Sequence, residues 1–263
     1  MTTGDITTFT LSQEEVYVLL DQVRASGMLG VDLTPLESLD DAQRQSLLAS
    51  AGRALRARGI VGVGTNGQPL LDSAVRATIH AAAFAPHILA AISRRSDESS
   101  VVVYIVHHAD PLWVEHTQPA PGLHQFALSP DPLDVQTRIE QILGLGSQPA
   151  PPAKGFNIDQ PELERITAAA TADVQALQHA IATAGADTPT AQLFAELLAG
   201  PRDSALLQVV DRREDEERTH TITVMGNQQG MWIMQTTKPA TLLCQPASAA
   251  DVRHAITELV EQL

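Results

Sequence analysis

Four side chains able to bind a metal or move a proton lie close together in the chain: His107, His108, Asp110 and His116. Imidazole and carboxylate are both zinc-ligand types, and three such groups could hold the ion if a fourth ligand came from elsewhere. The residues around them alternate as a β-hairpin does. His107 and His108 are therefore expected on opposite sheet faces, and at most one of them can join His116 and Asp110. Their spacing matches no metal motif, so the first expectation is ordinary histidines at an edge or on the surface, with no metal bound. Gly62-Val63-Gly64-Thr65-Asn66-Gly67 has the form G-x-G-x-x-G. A dinucleotide site needs a strand before that pattern and a helix beginning inside it, so that helix amides meet the pyrophosphate. Here a long amphipathic helix comes first and Gln68-Pro69 delays the next, which makes the segment a turn between helices and implies no cofactor. Cys244, the single cysteine, falls in a strand pattern, where a small buried hydrophobe is expected. The sequence has no G-x-S-x-G elbow, P-loop, H-E-x-x-H or paired-cysteine set. Its residues thus point to a protein that is not an enzyme, with no catalytic residue to assign.

The elements that would carry these groups can be read from periodicity. Ser12-Gln13-Glu14-Glu15 is a capping box, followed at helical spacing by Val16, Leu19, Leu20 and Val23, with Gly27 able to stop the helix. Further helices are expected from Asp41 to Arg58, where Ala51, Ala54 and Leu55 mark a packing side, and from about Leu71 to Ala85. Short β-rich runs follow at Ile88–Ser93, Val101–His107, Leu112–His116 and His124–Leu128, then a helix near Leu133–Leu143. Residues 144–160 are rich in Pro and Gly and read as a linker. Beyond it, Leu163, Ile166, Ala170, Val174, Leu177 and Ile181 step by three or four as in a helix, and Thr188-Pro189 opens a shorter one. Four more strands, Ala205–Val210, Thr219–Met225, Met231–Gln235 and Thr241–Gln245, precede a helix capped by Ser248.

The second course retraces the first. Ile92 to Glu98 reappears as Val210 to Glu216 at an offset of 118, Leu112-Trp113-Val114 as Met231-Trp232-Ile233 at 119, and Asp134 to Ile139 as Asp251 to Ile256 at 117. Three anchors in one order imply a duplicated unit: residues 1–143, the linker 144–160, and residues 161–263, fused into one domain. Strands joined by such short loops must be antiparallel neighbours. Helices gathered in blocks around them define α+β rather than a doubly wound sheet. The expected fold is a central antiparallel sheet of two repeated four-strand units, flanked by two helical bundles about a pseudo-twofold axis.

Composition narrows the partners. The chain carries a net charge of −14, spread as 16 acids against 9 Arg in residues 1–143 and 15 acids against 8 Lys or Arg in 144–263. Such a surface repels phosphate backbones, which argues against nucleic acid or an anionic membrane as the main partner. One cysteine, no signal-peptide pattern and no long apolar run lead to the expectation of a soluble cytoplasmic protein. Aromatic residues are only 3% of the chain, so its core must rest on Leu, Val, Ile and Ala. Trp113 and Trp232 hold equivalent repeat positions, and packing between sheet and helices is their first reading. Met225, Met231 and Met234 surround Trp232, and a Met-rich patch can form an adaptable binding surface. Those four are the candidate protein-interface residues. Arg94-Arg95, Arg212-Arg213 and Glu214 to Glu217 read as solvated turns. Arg53, Arg56 and Arg58 before a Thr-Asn-Gly turn keep an acidic winged-helix regulator as an alternative, beside a metal-dependent enzyme built on the histidine hairpin.

The stretch Arg53-Ala54-Leu55-Arg56-Ala57-Arg58-Gly59-Ile60, then Asn66-Gly67, Leu70-Leu71 and a helix ending at Pro86, resembles the EspG family of type VII (ESX) secretion chaperones. Strands carrying Arg-Arg with acids, followed by Asp134 to Leu143, continue the likeness. The resemblance implies a central antiparallel sheet with two helical bundles, in agreement with the duplication. It also implies a cytosolic, non-enzymatic chaperone, monomeric or weakly dimeric. Such a protein binds the helical tip of a PE–PPE-like or WXG-type substrate and keeps it soluble before export. The family's partner-binding residues have no signature that can be placed on individual positions here.

Overall fold

A strand, β1 (Thr8–Ser12), runs directly into a helix, α1 (Gln13–Gln22), with Ser12 as the N-cap. The Ser12 hydroxyl accepts from the Glu15 N–H at 3.3 Å, and the Glu15 carboxylate accepts from the Ser12 N–H at 2.9 Å. That is the reciprocal box which Ser-x-x-Glu spacing predicts. The helix stops at Gln22 rather than at Gly27, because Arg24 takes a left-handed φ of 59° that an α-helix cannot continue. This computed structural model describes residues 8–64, 69–97, 101–129, 131–147, 149–169, 173–213 and 217–263. The Thr65-Asn66-Gly67 turn, Ala170 of the expected helical stripe, and Glu214-Asp215-Glu216 lie outside the described residues.

A single turn, α2 (Thr34–Glu37), precedes the long α3 (Asp41–Ala57). Ala51 and Leu55 of α3 are buried as expected, but Ala54 faces solvent. A small hairpin of β2 (Val61–Val63) and β3 (Pro69–Leu71) leads to α4 (Ser73–Phe84), which Asp72 caps by accepting from the Ala74 and Val75 N–H groups. The first meander is β4 (His87–Arg94), β5 (Val101–Ala109), β6 (Leu112–Ala120) and β7 (Leu123–Ser129), closed by α5 (Pro132–Leu143). The second course runs β8 (Phe156–Asp159), α6 (Gln160–Ala169), α7 (Val174–Thr183) and α8 (Thr188–Ala199). It ends in β9 (Asp203–Asp211), β10 (Arg218–Asn227), β11 (Gly230–Lys238), β12 (Thr241–Ala247) and α9 (Ala249–Val260).

Among the described residues the strands form a ten-stranded antiparallel sheet and the separate β2–β3 pair. Within the large sheet two runs have the same order, β1-β7-β6-β5 and β8-β12-β11-β10. The repeat extends to single positions. Trp113 is paired with His108 and Ser129, and Trp232 with Met225 and Pro246, so the two tryptophans occupy equivalent ladder sites. The fold is therefore the α+β arrangement read from the sequence, but β1 and β8 each add an edge strand to the four-strand meanders expected there. Several elements were hidden from that reading, β1, α2 and the β2–β3 pair among them. Phe156 and Ile158 alternate into the core as β8 inside the Pro/Gly-rich stretch. The long helical stripe is two helices, because Asp173 at φ −159° caps a fresh start by accepting from the Gln175 N–H.

The chain divides into two compact units, one of Met1–Ile88, Tyr104–Asp134 and Asp211–Glu216, the other of Leu89–Val103, Val135–Val210 and Glu217–Leu263. In the first, Val16 and Leu19 of α1, Leu55 of α3 and Ile79 of α4 bury against Leu11, Val114 and Phe126. In the second, Ile166, Ile181 and Phe194 from the three helices α6 to α8 bury against Phe156, Trp232 and Cys244. The Phe194 ring centroid lies 4.9 Å from Trp232 and 5.3 Å from Phe156, edge to face, so scarce aromatics are concentrated where one face of the sheet meets its helices. Also in this unit, Arg253 of α9 donates to Glu140 of α5 at 3.0 Å and to the Gly146 carbonyl at 2.9 Å. Phe194 is fully buried, and Phe194→Ala is expected to cost about 3–5 kcal/mol in urea unfolding. A loss below about 1 kcal/mol would contradict its central place.

Candidate functional site

Three histidines share one sheet face. His107 of β5 lies opposite Val114, His116 of β6 opposite Ile105 and Phe126, and His124 of β7 opposite Leu11. Directly paired residues point the same way, so all three imidazoles enter the layer that holds Leu11, Val114 and Phe126 against α1 and α4. His116 Nε2 is 2.9 Å from His124 Nδ1, and the His107 ring stacks on His116 with centroids 5.8 Å apart. Gly30 seals this layer at φ 83°. A Cβ there would come within 2.2 Å of Ile105 Cδ1 and 3.1 Å of His116 Cε1. The expectation of edge or surface histidines is corrected: His107 and His116 are fully buried and His124 is 3% exposed. β6 buries Val114, Glu115 and His116 in succession, so both its faces are covered.

Burial pushes the His107 pKa down to about 3, helped by the Arg212 cation and opposed by the Ala82 backbone. Burial, then the neighbouring His107 and His124, holds His116 well below the ordinary value, and burial lowers His124. All three are neutral near pH 7. His107 does face away from His108, as alternation requires, and it is His107 that joins His116. His108 instead stacks on the half-buried Trp113 at 4.2 Å, and Asp110 is exposed in the hairpin turn. Among the described residues no group of three or more His, Cys, Asp or Glu is placed to hold a metal ion.

The other candidate residues resolve as follows. Met231, Trp232 and Met234 are 6%, 2% and 4% exposed, and the half-buried Met225 packs on the same core of the second unit. Cys244 is fully buried, and desolvation pushes its thiol up to about 12, where almost no nucleophilic thiolate exists at pH 7. Gly62 and Val63 belong to β2, and the next helix begins only at Ser73, so no helix N-terminus faces the glycine pattern. Arg58 bonds inward within the first unit, with Nη1 2.7 Å from the buried Glu15 carboxylate and Nη2 2.6 Å from the Thr10 carbonyl. It fixes α3 to the β1–α1 corner and is not offered to DNA.

Polar chemistry collects instead at the strand ends of the second unit. A cleft of about 670 Å³ is lined by Glu196, Asp203, Asn227, Gln228 and Gln229. Beside it, a cleft of about 290 Å³ is lined by Arg94, Arg95 and Arg202 with Ser96, Gly200 and Ser204. The Ser96 N–H donates to Asp203 at 2.8 Å, which pins the turn after β4 to the start of β9. By sequence alone Arg94-Arg95 reads as a solvated turn. Arg202 lies 107 residues beyond Arg95 in the chain, and nothing in the local pattern joins them.

The arrangement is of α+β class, with polar side chains gathered at turns. Residues 12–258 match the EspG family model, and the chain belongs to the EspG family. Among solved structures it is similar to the Mycobacterium tuberculosis type VII secretion system chaperone EspG5 in complex with a PE25-PPE41 dimer. That likeness has a TM-score of 0.69 at 13% identity and covers 98% of this chain and 97% of the other. No curated protein matches the chain.

The buried histidines make stability depend on acidity in a definite direction. Above their unfolded value of about 6.5 both states are neutral and no penalty exists. Below it the unfolded chain takes up protons first, and stability falls until the folded pKa is reached, about 3 for His107. The urea midpoint is therefore expected to fall between about pH 7 and pH 5, each such histidine contributing up to about 1.4 kcal/mol per pH unit. His107→Phe should show a shallower dependence. Equal slopes for the two proteins would contradict a neutral, buried His107.

Proposed function

We propose that this chain is a type VII secretion chaperone that holds the tip of a helical PE–PPE-like pair and keeps it soluble before export. The observation that carries the reading is the family match across residues 12–258. The fold likeness to a chaperone solved with such a pair, over nearly the whole of both chains, supports it. An apolar helix tip in water associates with its own kind, and a protein that covers it prevents this without chemistry. Binding rather than catalysis also suits the reactive side chains. Cys244 is sealed in the core with its thiol protonated, and the three clustered histidines are neutral and unreachable by a substrate.

No helix among the described residues is long and apolar enough to cross a membrane, and the chain's work is placed in the cytoplasm on that reading. The two repeats, residues 1–143 and 161–263 joined by 144–160, are read as copies of one module. The equal strand order of the two runs supports this, as do the matched tryptophan positions. Met231, Trp232 and Met234, buried as they are, would serve the partner surface by stiffening the strand beneath it.

Co-expression with a PE–PPE pair tests the proposal. The expected result is one complex on size exclusion holding all three chains, and a pair that aggregates when the chaperone is omitted. Separate elution of a well-folded chain and a soluble pair would refute the chaperone role.

A further inference from the structure

Each unit has an outer strand that runs straight into a helix, β1 into α1 in the first and β8 into α6 in the second, and each of these strands has a neighbour on one side only. Setting Gln13 on Gln160, an offset of 147, matches Thr10 with Asn157, Ser12 with Asp159 and Glu15 with Glu162. An outer strand turns every second N–H and C=O away from its neighbour, and those groups can pair with another strand. In β1 the Gln13 N–H bonds to the Gly122 carbonyl of the β7 side at 2.9 Å, so Thr8, Thr10 and Ser12 are the outward positions. Their groups are partly taken. The Thr10 carbonyl accepts from Arg58 Nη2 at 2.6 Å, and the Ser12 N–H donates to Glu15 at 2.9 Å. The same Glu15 oxygen is held by Arg58 Nη1 at 2.7 Å, so one bonded pair of side chains covers this edge.

The second edge has the same plan without the cover. The Gln160 N–H bonds to the Ala240 carbonyl at 2.8 Å, which by alternation turns Phe156 and Ile158 toward β12 for bonding and Gly155, Asn157 and Asp159 outward. Glu162 follows Asp159 as Glu15 follows Ser12, but its carboxylate is taken by Arg165, from Nε at 2.8 Å and Nη2 at 2.5 Å. Among the described residues no side chain bonds the N–H or carbonyl of Gly155 or Asn157, or the Asp159 N–H, and all three residues are exposed. We propose that this edge is an interface between two copies of the chain, with β8 of one laid antiparallel to β8 of the other about a twofold axis at Asn157. The strand fits itself in that register. Asn157 donates to and accepts from its own counterpart, and each Gly155 carbonyl takes an Asp159 N–H. The charges agree as well. Asp159 meets a glycine, with no like charge opposite, and the antiparallel direction sets Lys154 at the start of one edge beside Asp159 at the end of the other. Lys154 also pairs with Asp187 of its own chain at 3.1 Å. The contact is weak, because few backbone bonds stand against the cost of association and a net charge of −14 on each copy. Neither the chaperone reading nor its substrate enters this inference.

Sedimentation velocity of the full chain at about 0.15 M salt, from about 10 μM to about 0.5 mM, is expected to shift from the mass of one chain toward that of two. Asn157→Pro removes an outward N–H and no bond to β12, a change that an edge strand accepts. It should sediment as one chain at every concentration, with an unchanged thermal melt. Asn157→Lys and Asn157→Asp each put like charges across the axis and should each stay single. An equimolar mixture of the two should associate about five- to tenfold more tightly than either alone, the scale of a cross-strand charge pair. The mixture decides the case even where the proline variant melts early, since a purely structural role for Asn157 cannot restore association between two variants. A wild type that stays single over the whole range overturns the proposal, even if an extended peptide of another protein binds at β8. A dimer that survives Asn157→Pro unaltered, or a mixture no tighter than its components, overturns it as well.

Discussion

A strand covered on both faces has no water in which to leave a charge, and two inner strands of the sheet are covered in this way. Val114, Glu115 and His116 of β6 are buried in sequence, as are Met231 to Met234 of β11. Each polar group on such a strand must be neutral, bonded or paired, because stripping an ion of water costs several kcal/mol that only close partners return. His107, His116 and His124 meet that demand by giving up the proton. Glu15, buried at the β1–α1 corner, meets it through Arg58 and the Ser12 N–H. Charge is thereby displaced to the turns, where Arg94, Arg95 and Arg202 line one cleft.

Two runs of the sheet share one strand order and differ in what fills them. Trp113 and Trp232 stand at matched ladder positions, yet Trp113 is half-buried against His108 while Trp232 is sealed among Phe156 and Phe194. The first unit therefore carries an imidazole layer and the second an aromatic and methionine core. The same divergence acts at the turns. Asp211 binds Arg213 of one pair, and a buried Ser93 stands at the matching position before the other.

Much of the frame was legible in the residues. Ser12-x-x-Glu15 forms the box its spacing predicts, and Ser248 caps the last helix as expected, there in a box with Asp251 that bonds at 2.7 and 3.2 Å. Both meanders and their closing helices fall where alternation and the repeat place them. What escaped were features decided by distant contacts. Phe156 and Ile158 become a strand only because β12 offers Cys244 and Leu242 as ladder partners. Periodicity tells which way His116 faces, but not that Gly30 will close over it. Arg202 joins Arg94 through the fold alone, although the exchange of Ser93 for Asp211 was visible once the repeat was aligned.

Hydrogen–deuterium exchange of the chain, free and mixed with a PE–PPE pair, tests most directly whether recognition lies on turns and not on the covered strands. Added protection is expected at residues 92–97 and 200–204, with β6 and β11 slow to exchange in both samples. No change at those turns on formation of a complex, or protection confined to other surfaces, would contradict that division of labour.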